Sequence, residues 1–300
     1  MAPRTSEAGL AHPAYRGVTL RAADAAAALP LSIEANWNQT EADWQFMLGA
    51  AHAFGFEDAA GTLVASTLVI PYGPALAWIG MVLVSAPARR NRLATVMMHR
   101  AVAWCRDRAL VPQLDATSAG REVYRSLGFR DLRAVTRWRR SDPEANPFAT
   151  RRAVAPNLSA AQPAQAVAPG ELGLAEQLDR QVFGADRSEL LRWLHRSRPD
   201  LAFGLPGRGF ALGRNGRIAT QMGPLVAATE REAITLLQAS LERIAGPVIV
   251  DVPAGRTKFE HELAVYGLTP FRELIRMGWG PDGEFGQPDA VFALAGFELG

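Results

Sequence analysis

Lysine is nearly absent from this chain. Lys258 stands alone among 300 residues, so the basic side chains are almost all arginines. The first half can therefore hold no P-loop lysine, no Schiff-base lysine and no lysine nucleophile. Cysteine is equally scarce. Cys105 is the only one, which excludes a disulfide framework and a zinc knuckle. Its place after Ala101 and Trp104 on an apolar helix face makes it a core residue. The five histidines are scattered without metal-ligand spacing, and no metal is expected. No apolar run reaches the roughly 18 residues that a membrane span needs. The start, Met1-Ala2-Pro3-Arg4-Thr5-Ser6-Glu7, lacks the apolar stretch of a signal peptide, so the expectation is a cytoplasmic protein with no membrane partner. Nor is there an excess of one charge. A net charge of +2 gives no reason to expect a nucleic-acid partner. The arginine runs Arg137-Trp138-Arg139-Arg140 and Arg151-Arg152 read as a closing strand with a solvated face.

An apolar content of 48% is ample for packed cores, and the length suggests two domains of about 100–150 residues each. Val18-Thr19-Leu20-Arg21 reads as a strand, and Asp24 caps a helix rich in alanine and leucine. Residues 52–56 and 62–70 form a hairpin turned by Asp58-Ala59-Ala60-Gly61. The strand from Trp78 to Val84 is apolar at nearly every position, which predicts cover on both faces. A helix from Leu93 to about Arg108 places Leu93, Met97, Ala101, Trp104 and Cys105 on one side.

Between Ser141 and Pro169 periodicity fades into Pro, Ala, Asn, Ser and Gln, a linker in which Val154 could open a strand of the next unit. The second half then echoes the first. Residues 218–226 answer the strand ending at Val84, and the helix bearing Ile234, Leu237, Leu241 and Ile244 answers the Leu93 helix. Residues 247–253 answer Pro112-Gln113-Leu114-Asp115-Ala116, and Tyr266-Gly267-Leu268 answers Leu127-Gly128-Phe129. A tandem duplication accounts for this, with domains at 1–140 and 170–300 joined by a linker at 141–169.

The most informative stretch runs from Trp78 to Phe129. A buried strand feeds an arginine-crowded turn, Arg89-Arg90-Asn91-Arg92-Leu93-Ala94-Thr95, which opens a helix. Free backbone N–H groups and the positive end of a helix dipole converge there, as an anion pocket requires. The turn fills the pattern Gln/Arg-x-x-Gly-x-Gly/Ala with one departure, Arg92 at the first glycine. Downstream, Tyr124-Arg125-Ser126-Leu127-Gly128-Phe129 sets a tyrosine four residues before Gly-Phe. Loop, flanking strands and this helix, in this order, resemble the acyl-CoA-binding core of the GNAT-type N-acetyltransferases over roughly the first 140 residues. The whole chain resembles two-module GNAT proteins with a degenerate C-terminal half, including Arg272, Arg276-Met277 and the ending Phe292-Ala293-Leu294-Ala295-Gly296.

That resemblance implies an α/β fold of two tandem GNAT-like domains, mixed central sheets flanked by helices. It implies an acyltransferase that moves an acetyl group from acetyl-CoA directly to a primary amine of a small molecule, through a tetrahedral intermediate. Arg89, Arg90, Asn91, Arg92, Leu93, Ala94 and Thr95 would hold the phosphates. The backbone of Val82, Leu83 and Val84 would run beside the pantetheine arm, and Tyr124 would meet the leaving thiolate. Trp37, Asn38, Gln39, Trp44, Tyr72 and Trp78 combine flat apolar faces with polar groups, as an acceptor pocket would. No general base stands out among Glu41, Asp43, His52, Glu57 and Asp58; a water relay serves as well. In the second copy the matching turn, Ala227-Ala228-Thr229-Glu230-Arg231-Glu232, offers carboxylates where phosphates need cations, so it is not expected to bind acyl-CoA. A homodimer is compatible with all this. A non-catalytic sensor of acyl-CoA or a metabolite stays open as the alternative, because Arg92 replaces a glycine that lets backbone approach phosphate.

Overall fold

The computed structural model describes residues 4–141, 163–280 and 284–300. Most of the linker expected at 141–169, and Val154 with it, lies outside the described residues. Two compact units emerge from the contacts. The first holds residues 4–131 with 277–280 and Leu299, and the second holds 132–141 and 163–276 with the rest of the described C-terminal segment.

Two runs of elements follow the same order. The first is β1 (Arg16–Leu20), α1 (Ala25–Glu34), α2 (Glu41–Ala50), β2 (His52–Glu57), β3 (Leu63–Tyr72), β4 (Leu76–Val84), α3 (Leu93–Arg106), β5 (Val111–Ala116), α4 (Ser118–Ser126) and β6 (Phe129–Arg140). The second is β7 (Gln165–Ala166), α5 (Leu172–Phe183), α6 (Ser188–Ser197), β8 (Phe203–Leu205), β9 (Gly209–Arg214), β10 (Thr220–Ala227), α7 (Glu230–Arg243), β11 (Val248–Pro253), α8 (Thr257–Val265) and β12 (Thr269–Trp279). One short strand, β13 (Val291–Ala293), follows with no counterpart in the first run.

In the first unit β1 to β5 lie side by side in sequence order. The first four are antiparallel. Asp58 closes the β2–β3 turn by accepting from the Ala60 and Thr62 amides, each at 2.9 Å. The N-terminus of α2 is a capping box: Thr40 Oγ1 accepts from Asp43 N, and the Asp43 carboxylate accepts from Thr40 N at 2.6 Å. Cys105 is fully buried, and that burial pushes its thiol up to about 12. It is an inert core group, as its helix face predicts.

The second unit runs β12-β6-β11-β10-β9-β8-β7. β6 closes the first repeat in sequence, yet it pairs antiparallel with β11 from Val248↔Arg140 to Pro253↔Val135. β6 ends at Arg140, while packing draws the unit boundary after Asp131. Arg137 of the expected solvated strand is instead buried on Asp251, with bonds of 2.7 and 2.8 Å. Arg140 is also buried and donates to the carbonyls of Ile244 and Tyr266. Leu236, Leu237 and Leu241 of α7 pack with Val248, Val250, Phe259, Leu263 and Phe292 in one core. Each such side chain contributes about 1.5–3 kcal/mol when removed from water.

Candidate functional site

The crevice begins where two parallel strands part. β4 and β5 pair only from Leu76↔Val111 to Trp78↔Gln113. Just beyond, the register against β3 slips between Ser66 and Leu68, and Met81 sits at φ 52. A bulge of this kind bends and twists its strand. The expected cover on both faces holds from Trp78 to Met81 and at Leu83, while Val82 and Val84 are partly exposed.

Beyond the parting, an open cavity of about 480 Å³ lies against the end of β4, lined by Val82, Leu83, Val84, Ala88, Arg89, Arg90, Arg92, Leu93 and Ala94. Its volume falls in the range of small-molecule sites, roughly 300–1,000 Å³. Of the loop residues singled out in the sequence, Asn91 and Thr95 are not in the lining. Asn91 braces the turn instead, its side-chain amide donating to the carbonyl of Ala88 at 3.1 Å and to the Tyr15 hydroxyl at 3.3 Å.

Arg90 and Arg92 both adopt left-handed backbone conformations, φ 65 and φ 59. Arg92 is the N-cap of α3 and makes no side-chain capping bond. The backbone shape that a glycine would supply is thus kept by an arginine, at a cost of about 1–2 kcal/mol. From Arg90 to Thr95 no backbone N–H has an acceptor among the described residues. Consecutive free N–H groups around left-handed residues form an anion-binding concavity, and the helix dipole adds to it.

The three arginines differ. Arg89 is engaged, its Nε on the Val84 carbonyl at 3.2 Å and its Nη2 on Glu34 at 3.2 Å. Arg90 and Arg92 are exposed and make no ion pair among the described residues. An extended ligand with several phosphate charges fits this set: bare amides, two uncommitted guanidinium groups, and a strand edge parted from β5 leading away from them.

Tyr124 lies on α4, whose N-cap Thr117 accepts from Gly120 N at 3.2 Å. It is outside the crevice lining. Its ring is partly buried, 6.1 Å from that of Phe129, and its hydroxyl has no partner among the described residues. Burial pushes the phenol up to about 12, so it holds its proton at any physiological pH.

The acceptor candidates divide. Trp44 and Trp78 have no exposed surface, and Trp44 Nε1 donates to Ser32 Oγ at 2.8 Å. Tyr72 is buried with its hydroxyl on the Leu299 carbonyl at 2.9 Å. These three are packing residues, a correction to their placement in a pocket: aromatics of this size release most free energy when wholly enclosed. Asn38 and Gln39 are buried as well, and only Trp37 keeps partial exposure. The carboxylates weighed as bases have structural tasks. Asp43 caps α2, Asp58 closes a turn, and Glu57 is buried against Arg4 and Arg16. His52 stacks on Trp104 at 4.9 Å, and burial lowers its pKa despite Glu7 nearby.

Two contributors escaped the sequence. Glu34, on α1, accepts from Ala86 N at 2.6 Å as well as from Arg89. His12 bonds the Asn91 carbonyl at 3.1 Å. Both act across more than fifty residues, and no local pattern announces them.

In the second unit the corresponding gap is closed. β10 and β11 pair in parallel from Thr220↔Val248 to Met222↔Val250 and then part, as β4 and β5 do. Here β13 enters, pairing with β10 at Leu225↔Ala293 and Val226↔Val291. Gly223, at φ 136, makes the approach feasible, since a Cβ there would stand 1.9 Å from the Leu294 carbonyl oxygen. Only Ala228 and Thr229 separate β10 from α7, against residues 85–92 in the first repeat. Glu230 caps α8 by accepting from the Lys258 and Phe259 amides, at 2.9 and 3.0 Å.

Residues 23–129 match a family model described as the acetyltransferase (GNAT) family, and residues 175–288 match a second, described as an acetyltransferase (GNAT) domain. The chain belongs to the GNAT acetyltransferase family, as two domains in tandem. Among solved structures, a Pyrococcus horikoshii protein assigned as an acetyltransferase superposes with TM-score 0.76 at 17% identity, covering 99% of both chains. A GCN5-related N-acetyltransferase from Sphaerobacter thermophilus gives 0.64 at 16%, covering 93% of this chain and 99% of its own. A tandem GNAT protein from the clavulanic acid biosynthesis pathway gives 0.60 at 17%, covering 89% and 99%. At these identities the likeness is one of fold. No curated protein matches the chain. No helix among the described residues is long and apolar enough to cross a membrane.

Proposed function

We propose that the first GNAT repeat binds acetyl-CoA in the β4–α3 crevice and transfers the acetyl group to a primary amine of a small molecule. The observation that carries this is the unbroken run of free amides from Arg90 to Thr95, facing an open strand edge at Val82–Val84. Acetyl-CoA supplies an acyl group activated as a thioester. The chain's own part is binding and proton placement. The amides and the guanidinium groups of Arg90 and Arg92 hold the phosphates. A backbone N–H of the parted β4 edge polarises the acyl carbonyl. Tyr124 then donates a hydrogen bond to the departing sulfur. With a phenol near 12 against a thiol near 8.5, full proton transfer to the thiolate is uphill by about 5 kcal/mol. Tyr124 therefore acts as a donor that stabilises developing charge rather than as the final proton source. The incoming amine loses its proton to water.

Two measurements on the whole chain test this. Calorimetric titration should show acetyl-CoA binding with one site per chain. Thiol release on mixing acetyl-CoA with a panel of small amines should exceed the protein-free rate. Binding without thiol release for any amine would leave a sensor of acyl-CoA in place of an enzyme.

A further inference from the structure

The tyrosine helix ends on a residue from the other repeat. Trp279 terminates β12, the last strand of the second repeat, yet by its contacts it belongs to the first unit. Its indole Nε1 donates to the Leu127 carbonyl at 2.9 Å. Leu127 is the C-cap of α4, and its own N–H returns to the Tyr124 carbonyl at 3.0 Å. Carbonyls at a helix C-terminus lack intrahelical partners, so this indole satisfies one of them directly.

The next residue explains why the helix must end in glycine. Gly128 has φ 94, and a Cβ there would stand 3.0 Å from Trp279 Nε1. The Tyr-x-x-x-Gly spacing thus serves both the reversal of the chain and the close approach of the indole. Arg130 adds a bond from its guanidinium to the Gly280 carbonyl. The Arg106 guanidinium lies 6.0 Å from the centre of the Trp279 ring, at the last residue of the helix that opens with the phosphate loop. A second tether acts on the outer face of α4. Asp131 accepts from Arg121 and from Arg125, one turn apart and on either side of Tyr124.

We infer that Trp279 is a positioning residue for Tyr124, fixing the C-terminus of α4 through the Leu127 carbonyl so that the phenol is held in place. The inference rests on the transferase reading for its link to turnover, but its structural half stands apart from activity. On this view the second repeat takes part in the first repeat's chemistry by lending it a strand end.

The test compares full-length wild type with Trp279→Phe, which keeps an aromatic side chain while removing the donor together with the indole's second ring, and with Trp279→His, which keeps a ring N–H. Three readouts are taken: hydrogen exchange across 118–127, the ring 13Cζ resonance of Tyr124, and kcat against KM for acetyl-CoA. The chain has only four tyrosines, so that resonance is assigned with Tyr124→Phe. Loss of one hydrogen bond should speed α4 exchange by about three- to tenfold and shift the Tyr124 resonance. It should lower kcat by a similar factor with KM unchanged, and Trp279→His should recover part of each. Unchanged exchange and an unchanged resonance in Trp279→Phe would overturn the inference. So would a rise in KM matching the fall in kcat, because that marks general loosening of the unit. If wild type releases no thiol with any amine, the transferase reading fails, and exchange and resonance still decide whether Trp279 places the tyrosine.

Discussion

The two repeats place the same ten elements in the same order and treat one gap in opposite ways. In both, two parallel strands pair over a short stretch and then separate. The first repeat leaves the gap open and surrounds it with arginines and bare amides; the second fills it with β13. The residue four before the helix-ending glycine shows the same divergence. In the first repeat it is Tyr124, with an unpartnered hydroxyl. In the second it is Leu263, wholly buried in the core. A splayed sheet leaves backbone N–H and C=O groups unpaired, and these must be satisfied by water, a ligand or more chain. The first repeat keeps them available, and the second spends its C-terminal segment satisfying them. The presence of β13 and the absence of an open crevice in the second repeat are thus two aspects of one arrangement.

The strongest way to break this contrast is to remove the charges that only the first repeat has. Arg90→Ala with Arg92→Ala deletes two charge-assisted contacts worth about 1.5–3 kcal/mol each. Affinity for acetyl-CoA should fall by at least about a hundredfold in calorimetry. A loss under threefold would place the phosphates elsewhere. Next is the plug. Phe292→Ala empties a core position of the second unit and should cost about 3–5 kcal/mol in denaturant unfolding. If the second gap is purely structural, the variant still binds one acetyl-CoA per chain; two sites would make β13 a removable lid.

Tyr124→Phe should lower kcat by about a hundredfold with KM for acetyl-CoA and the melting temperature nearly unchanged. Equal turnover would remove the phenol from the chemistry. Arg92→Gly is subtler. Relief of the left-handed strain should stabilise the fold by up to about 1 kcal/mol, while loss of the guanidinium weakens acetyl-CoA binding by about tenfold. Tighter binding instead would show that the side chain obstructs the crevice.

The smallest effect concerns acid. Hydrogen bonds from Arg121 and Arg125 hold the Asp131 carboxyl at about 2, below its ordinary 3.8. A carboxylate depressed in the folded state contributes stability above its unfolded pKa and loses it as pH falls through the folded one. The stability difference between wild type and Asp131→Asn should therefore be constant above about pH 4 and disappear towards pH 2. The second repeat carries Pro270 at the matching position, so α8 has no such carboxylate to titrate.

Much of the fold was legible because its signals are local. The arginine turn stands between an apolar strand and an amphipathic helix, and the spacing from Tyr124 to Gly128 marks a helix end. The acceptor candidates were not legible in the same way. Trp44 and Trp78 carry the same flat faces whether they line a pocket or fill a core, and composition cannot tell burial from recognition. Arg137 and Arg140 looked like a solvated edge because their partners, Asp251 and the Ile244 carbonyl, lie more than a hundred residues away. Glu34 and His12 were missed for the same reason.

The amino-acid sequence by itself determined the duplication, the order of elements around the arginine turn, and the carboxylates that enter the second loop, since each follows from periodicity and side-chain type within a short window. Only the tertiary structure decided that Arg92 keeps a left-handed turn and that β13 closes the second gap. It alone gave β6 to the second unit and Trp279 to the first. Those outcomes depend on which distant backbone groups satisfy one another, and that choice is made when the chain closes on itself.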